Sequence, residues 1–188
     1  MTTTTGLLLA AGAGTRMGRP KALVVDDGTP WLVRGVETLR GGGCDDVVVV
    51  LGAAADEARG LVPEGVGVVV AADWAEGMSA SLRAGLVHLE ETEADAALVS
   101  LVDLPDVTDA VVRRVLAAGA DQAALIRTTY DGRPGHPVLL GREHWFGVRA
   151  AAVGDRGARD YLANHALVAV ECGDLATGRD VDGPIFEE

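Results

Sequence analysis

The sequence predicts an α/β fold, a three-layer sandwich with a mostly parallel sheet between two layers of helices. Two observations carry this. Short apolar runs alternate with longer stretches of helical periodicity along the chain. Most of the runs are unbroken Val, Leu and Ala, as expected of strands covered on both faces, and not the apolar–polar alternation of a half-exposed sheet.

Strands are expected at residues 6–10, 47–51, 66–70, 97–102, 123–127, 136–140 and 167–170. Helices are expected at residues 31–40, 54–61, 79–91, 109–118, 142–149 and 157–164. Three glycines at 41–43 close the first helix, a place glycine commonly fills. Thr108 reads as the cap of the helix after it. No long linker, repeat or low-complexity segment interrupts the pattern. Residues 1–188 therefore read as a single domain, long enough for a full-sized core. In open sheets of this class ligands bind beyond the carboxyl ends of the strands.

Hydrophobic residues make up 48% of the chain, yet no uncharged apolar run approaches the ~20 residues that span a bilayer. The Met-Thr-Thr-Thr-Thr start lacks the basic region of a signal peptide. Cys44 and Cys172 have no metal-ligand spacing, nor do His88, His136, His144 and His165. A reduced, cytoplasmic setting is expected. The net charge of −12 argues against a nucleic-acid or membrane-surface partner, which would need a basic stripe. A small anionic substrate needs only a local basic cluster.

Residues 8–21 supply such a cluster. An apolar run ends in a glycine-rich turn that carries Arg16, Arg19 and Lys21. Glycines let backbone N–H groups approach an anion, and the cations supply opposite charge, so a phosphate chain is the natural ligand. Two commoner phosphate loops do not fit. The dinucleotide fingerprint wants a third glycine at 17, where Met17 stands, and Gly52 takes the place expected of its acidic residue. A P-loop wants Gly-Lys-Ser/Thr, but Lys21 lies between Pro20 and Ala22. With Pro20 after Gly18, the loop is expected to stay extended.

Three further constellations could carry chemistry. Asp103 follows a buried run, and Pro105 stops the strand, so one carboxylate stands at the sheet's active edge where Mg²⁺ could face a triphosphate. Residues 73–82 place small residues before a helix expected to start near Ser79. Its N–H groups and the hydroxyls of Ser79 and Ser81 could read a base or hold an anion, or simply cap the helix. Arg156 and Arg159 stand three apart near a helix start and can share a face, while His136, between glycine and proline, could donate to a phosphate. Trp31, Trp74 and Trp145 read as packing residues.

Taken in order, these segments resemble the motifs of the MobA-like NTP transferase family. Leu9, Ala10, Ala11, Gly12, Arg16, Met17, Gly18 and Lys21 match L-A-A/G-G-x-x-x-R-M-G-x-x-K. Gly77, Met78, Ser81 and Leu82 match G-M-x-x-S-L, and Asp103-Leu104-Pro105 matches D-x-P. Arg133, Gly135, His136 and Pro137 match R-x-G-H-P, and residues 154–159 match G-D-x-G-A-R. Asp180, Val181, Asp182 and Pro184 follow D-I/V-D-T-P, with Gly183 in place of Thr. The resemblance implies a Rossmann-like fold of the nucleotide-diphospho-sugar transferase kind.

The implied reaction is that of molybdenum cofactor cytidylyltransferases, in which CMP passes from CTP to the phosphate of molybdopterin and pyrophosphate leaves. Catalysis then rests on positioning and charge neutralisation, without a covalent nucleophile. The implied roles follow the motifs. Leu9, Ala10, Ala11, Gly12, Ala13 and Gly14, with Gly77, Met78, Ser79 and Ser81, hold the nucleotide. Arg16 and Lys21 neutralise the triphosphate, and Asp103 acts with them. Asp103 and Asp182 hold Mg²⁺. His136, Arg156 and Arg159 face the acceptor. Ala11 favours cytidine, since its methyl crowds a place where a purine would need room.

The expected partners are CTP and a molybdopterin-type acceptor, with a molybdoenzyme or its chaperone beside them. Alternatives in the same fold are guanylyl, uridylyl or thymidylyl transfer to a different phosphorylated acceptor, such as a sugar phosphate or phospholactate. From another class, Gly183 admits a non-catalytic cofactor-binding chaperone. A dinucleotide oxidoreductase is disfavoured by Met17 and by the missing acidic residue.

Overall fold

The computed structural model describes residues 2–183. Pro184, part of the C-terminal motif, lies outside them. Seven strands form one sheet: β1 (Thr4–Ala10), β4 (Asp46–Leu51), β5 (Gly67–Val70), β6 (Ala96–Leu101), β7 (Leu125–Tyr130), β8 (Arg133–Gly141) and β9 (Val168–Glu171). A small separate hairpin joins β2 (Val25–Asp26) to β3 (Thr29–Pro30). The main sheet runs β5-β4-β1-β6-β8-β7-β9. Its pairings are parallel except around β8, which runs antiparallel to both β6 and β7.

The helices are α1 (Trp31–Gly42), α2 (Ala55–Arg59), α3 (Met78–Glu90), α4 (Asp109–Ala117), α5 (Arg142–Ala151) and α6 (Arg159–Ala163). Alternation along β1 shows how two helix layers are held. Leu8 and Ala10 point into a core shared with Trp31, Val36 and Leu39 of α1 and with Val112 and Val115 of α4. Leu7 and Leu9 point the other way, towards Leu82 and Leu86 of α3 and Trp145 and Val148 of α5. All seven residues of β1 are buried, and residues 7–10 form an unbroken apolar run. Glycines bring the two inner helices close. A Cβ at Gly35 would stand 2.9 Å from the Leu8 methyls, and one at Gly85 would stand 2.7 Å from a Leu7 methyl. Among the described residues no helix is long and apolar enough to cross a membrane.

Every expected strand and helix is present, with ends shifted by a few residues. The β2–β3 hairpin was not foreseen, because two-residue strands leave no period to read. One expectation fails. The loop after β1 is folded back, not extended. Met17 N–H donates to the Gly14 carbonyl at 2.9 Å, and Lys21 N–H reaches the Gly12 carbonyl at 3.3 Å. The glycines account for this. Gly14 (φ +57°) and Gly18 (φ +73°) take left-handed conformations that reverse the chain before Pro20 can extend it. At Gly14 a Cβ would overlap the Arg19 carbonyl oxygen.

Candidate active site

The chain leaves β1 for β4 on one side and later enters β6 on the other, so the strand order reverses between β1 and β6. Ligands of open α/β sheets settle at such a switch point. Here the glycine-rich loop follows β1 and Asp103 follows β6. Between them lies a cavity of about 460 Å³, lined by Leu9, Ala11, Gly12, Ala13, Thr15, Lys21 and Asp103, with Trp74, Gly77, Met78, Ser81 and Asp155 opposite. The N–H groups of Gly12 and Ala13 find no protein acceptor among the described residues.

At the rim of this cavity Lys21 bridges two carboxylates. Its Nζ donates to Asp103 Oδ2 and, at 2.6 Å, to Asp182 Oδ1. Arg16 Nη1 donates to the other Asp182 oxygen at 3.1 Å. Backbone contacts place this C-terminal segment. Val181 N–H donates to the Asp103 carbonyl at 3.0 Å, and the Asp106 carboxylate accepts from both N–H and Oγ1 of Thr177. Asp180 arrives with it, so oxygens of Asp103, Asp180 and Asp182 lie within 4.8 Å of one another.

Burial pushes the Asp103 carboxyl above the ordinary carboxylate range, and Lys21 offsets part of that. For Lys21, burial works against the ammonium, but the bonds to Asp103 and Asp182 outweigh it and hold its pKa up. Asp182 is half exposed, and its bond and attraction to Lys21 hold it below the usual range. Three carboxylates set against the Lys21 ammonium and the Arg16 guanidinium leave net negative charge. Their hard oxygen donors fit Mg²⁺ or Mn²⁺.

A second cavity, of about 520 Å³, adjoins the first and shares Leu9, Met78 and Leu101 with it. It is lined by apolar residues of β6, β8 and α6, by His136 and Asp180, and by Arg127, Arg156 and Arg159. Burial lowers the His136 pKa to about 4, with Arg127 acting in the same direction, so this imidazole is neutral at pH 7.

A match to the model of the MobA-like NTP transferase domain spans residues 6–170. The chain belongs to the MobA-like NTP transferase family. Among relatives, it is 37% identical to nicotine blue oxidoreductase of Paenarthrobacter nicotinovorans, over 95% of this chain and 91% of that one. It is 27% identical to a probable molybdenum cofactor guanylyltransferase of Bacillus cytotoxicus, over 77% and 70% of the two chains. Among solved structures, Rv0371c of Mycobacterium tuberculosis H37Rv superposes with a TM-score of 0.80 at 31% identity, covering 97% and 94% of the two chains. Its manganese complex superposes with a TM-score of 0.75 at 29% identity, covering 91% and 89%.

In this MobA-like chain the expected site residues fall into distinct places. Leu9, Ala11, Gly12, Ala13, Gly77, Met78 and Ser81 line the first cavity with Lys21 and Asp103. Ala10 is buried in the core behind it, and Gly14 closes the loop. Ser79 is fully buried and accepts the Gly157 N–H at 3.1 Å, so it ties α3 to the loop before α6. Neither Ser79 nor Ser81 caps α3. Gly77 holds that position, and the Asp155 carboxylate receives Met78 N–H at 3.3 Å. Thr108 does occupy the cap position of α4, but its hydroxyl makes no capping bond. Arg16 is largely exposed on the rim, and His136, Arg156 and Arg159 line the second cavity.

Gly52 now has a physical reason. A Cβ there would stand 2.7 Å from that of Ala11 and 2.6 Å from that of Trp74, so no side chain fits. Thr15, Arg127, Asp155 and Asp180 also line the two cavities without having been named as site residues from the sequence, and Trp74, read there as packing, lines the first cavity. Asp155 and Asp180 sit inside matched motifs, which is the signal that could have found them. Arg127 stands alone in a strand and carries none.

Proposed function

We propose that this protein transfers a nucleotidyl group, CMP from CTP, to the phosphate of a molybdopterin-type acceptor. An acceptor phosphate oxygen bonds to the α-phosphorus, the bond from that phosphorus to the β-phosphate bridge breaks, and pyrophosphate leaves. The observation that carries the reading is the convergence of Lys21, Asp103, Asp180 and Asp182 where the two cavities adjoin. The first cavity suits the nucleotide, whose phosphates would meet the N–H groups of Gly12 and Ala13. Once phosphate displaces its carboxylate partners, Lys21 follows the charge that builds on the leaving pyrophosphate. Arg16 closes the same side. Asp103 and Asp182, with Asp180 beside them, would hold Mg²⁺, which there would neutralise phosphate oxygens facing the attack. The Ala11 methyl, packed at the cavity wall against Gly52, favours a pyrimidine over a purine.

Guanylyl transfer draws support from the Bacillus relative's name. A second reading, a dinucleotide oxidoreductase, draws support from the name of the Paenarthrobacter relative. Local geometry weighs against it, since Gly52 has no room for an acidic side chain. The loop also leads into a short 3-10 turn, Lys21–Leu23, and α1 begins only at Trp31, so no helix N-terminus faces a pyrophosphate there. Calorimetric titration with CTP, GTP and NADPH, each with Mg²⁺, separates the readings. CTP should bind more tightly than GTP, and NADPH should not bind. Tight NADPH binding with no triphosphate binding would overturn the proposal. Binding of CTP and acceptor without any pyrophosphate release would favour the non-catalytic chaperone.

A further inference from the structure

The second cavity has an apolar floor, formed by Val99, Leu101, Val138, Leu140 and Leu162, and a cationic wall of Arg127, Arg156 and Arg159. The three arginines differ. Arg156 is mostly exposed and gives its guanidinium to Asp160 at 2.8 Å. Arg127 and Arg159 have no carboxylate within 4 Å among the described residues. Arg127 is the more unusual of the two. It stands in β7, where Leu125, Ile126, Thr128 and Tyr130 are buried around it, and it is itself half-buried. Folded proteins seldom leave a partly desolvated guanidinium without a counter-ion, because the burial then goes uncompensated. The cost shows in its proton affinity, which burial lowers and the neighbouring Arg159 lowers further. An uncompensated cation facing a cavity is the mark of a site arranged for a ligand at some expense of stability.

We propose that Arg127 and Arg159 together bind one oxyanion group of the second substrate, while its apolar or aromatic body rests on the Val–Leu floor. The inference builds on the reading that this cavity receives the acceptor, and it adds a residue that belongs to none of the matched motifs. It also defines the acceptor class: an organic oxyanion with a flat or apolar body, as opposed to a polyhydroxylated one. Arg159 opens α6, and Arg127 comes from the neighbouring sheet. The pair therefore approaches the cavity from two elements, as a clamp on a single anion would.

The test uses phenyl phosphate and inorganic phosphate as probes, titrated by calorimetry into the full chain. The nucleotide cavity is first filled with Mg²⁺ and α,β-methylene-CTP. Wild type should bind phenyl phosphate more tightly than inorganic phosphate. Arg127→Met and Arg159→Met should each weaken phenyl phosphate by about tenfold or more, while binding of the CTP analogue stays within about twofold. Without ligand, Arg127→Met should melt at or above the wild-type temperature, because an uncompensated charge has gone; a merely structural arginine would lower it. Arg127→Lys keeps the charge without the planar fork and should fall between. Unchanged phenyl phosphate affinity in both Met variants would overturn the inference, as would a wild type that prefers inorganic phosphate. If the CTP analogue fails to bind, the transferase reading falls, while the phenyl phosphate titrations still decide the arginine pair.

Discussion

In the proposed reaction most of the chemistry turns on Lys21. It stands between Asp103 and Asp182, so it supplies the local positive charge in the protein without substrate. Replacing it with Ala should lower kcat by on the order of 10²-fold, the scale of a preorganised charge removed from a transition state. The fold should survive, since Asp103 is already pushed towards its neutral form and can take a proton once the ammonium is gone. Steady-state kinetics beside a melting curve check both parts. An unchanged kcat in a folded variant would remove Lys21 from the mechanism. The same proposal gives Ala11 a finer choice, that of the base. Ala11→Gly should narrow the preference for CTP over GTP, because it opens space at the cavity wall beside Gly52 and Trp74. Dissociation constants for both nucleotides in both proteins measure this, and a wild type that prefers GTP would rule out the cytidine choice. Lys21 and Asp103 were legible in the sequence because each belongs to a local pattern with its own physical logic. Arg127 was not, because its significance arises only when β7 and α6 come to line one cavity.

Among the elements, the parallel strands were the easiest to read. Both faces of β1, β4 and β6 are covered, and that burial leaves unbroken apolar runs at residues 7–10, 47–51 and 96–99. Connection by hydrogen bonds between distant side chains and backbone is invisible to such patterns. Glu171, at the end of the edge strand β9, shows this. Its carboxylate accepts from Thr129 Oγ1 at 2.8 Å and from the N–H groups of Asp131, Gly132 and Gly173, so it clamps the β7–β8 turn. Those bonds, the Thr129 hydroxyl first, lower its pKa from 4.5 to about 2. A depressed carboxyl contributes stability that is complete above its unfolded pKa and disappears as pH falls through its folded pKa. Glu171→Gln should therefore melt below wild type by a constant margin above about pH 5. That margin should shrink from about pH 4.5 towards pH 2. Melting curves across this range test it, and a margin that grows on acidification would contradict the clamp. The tie from Ser79 to Gly157 is of the same hidden kind. The sequence offered Ser79 as a ligand or a cap, and its hydroxyl is occupied tying α3 to the loop before α6.

On the scale of the whole molecule, the sheet's reversal between β1 and β6 brings segments from opposite ends of the chain to one point. Lys21 and Asp182 are 161 residues apart and share a 2.6 Å hydrogen bond. The alternating pattern of runs made the three-layer fold predictable, since each layer must bury one face. The partition of its upper edge into two adjoining cavities was not predictable, because it depends on how the loop at residues 154–157 docks on α3. On a chain of net charge −12, Arg16 and Lys21 and the arginines along the wall of the second cavity are the cations that stand where two anionic substrates would meet. The central claim, metal-assisted nucleotidyl transfer at the Asp103–Asp182 pair, is tested most directly by pyrophosphate release. CTP, Mg²⁺ and a molybdopterin acceptor are supplied to wild type, Asp103→Asn, Asp182→Asn and the double variant. Wild type should release pyrophosphate only when both acceptor and Mg²⁺ are present. Each single variant should lose on the order of 10²-fold or more in rate, and the double variant should be little worse, because the two carboxylates act as a unit. Wild-type turnover in Asp103→Asn, or strictly additive losses in the double variant, would contradict the account.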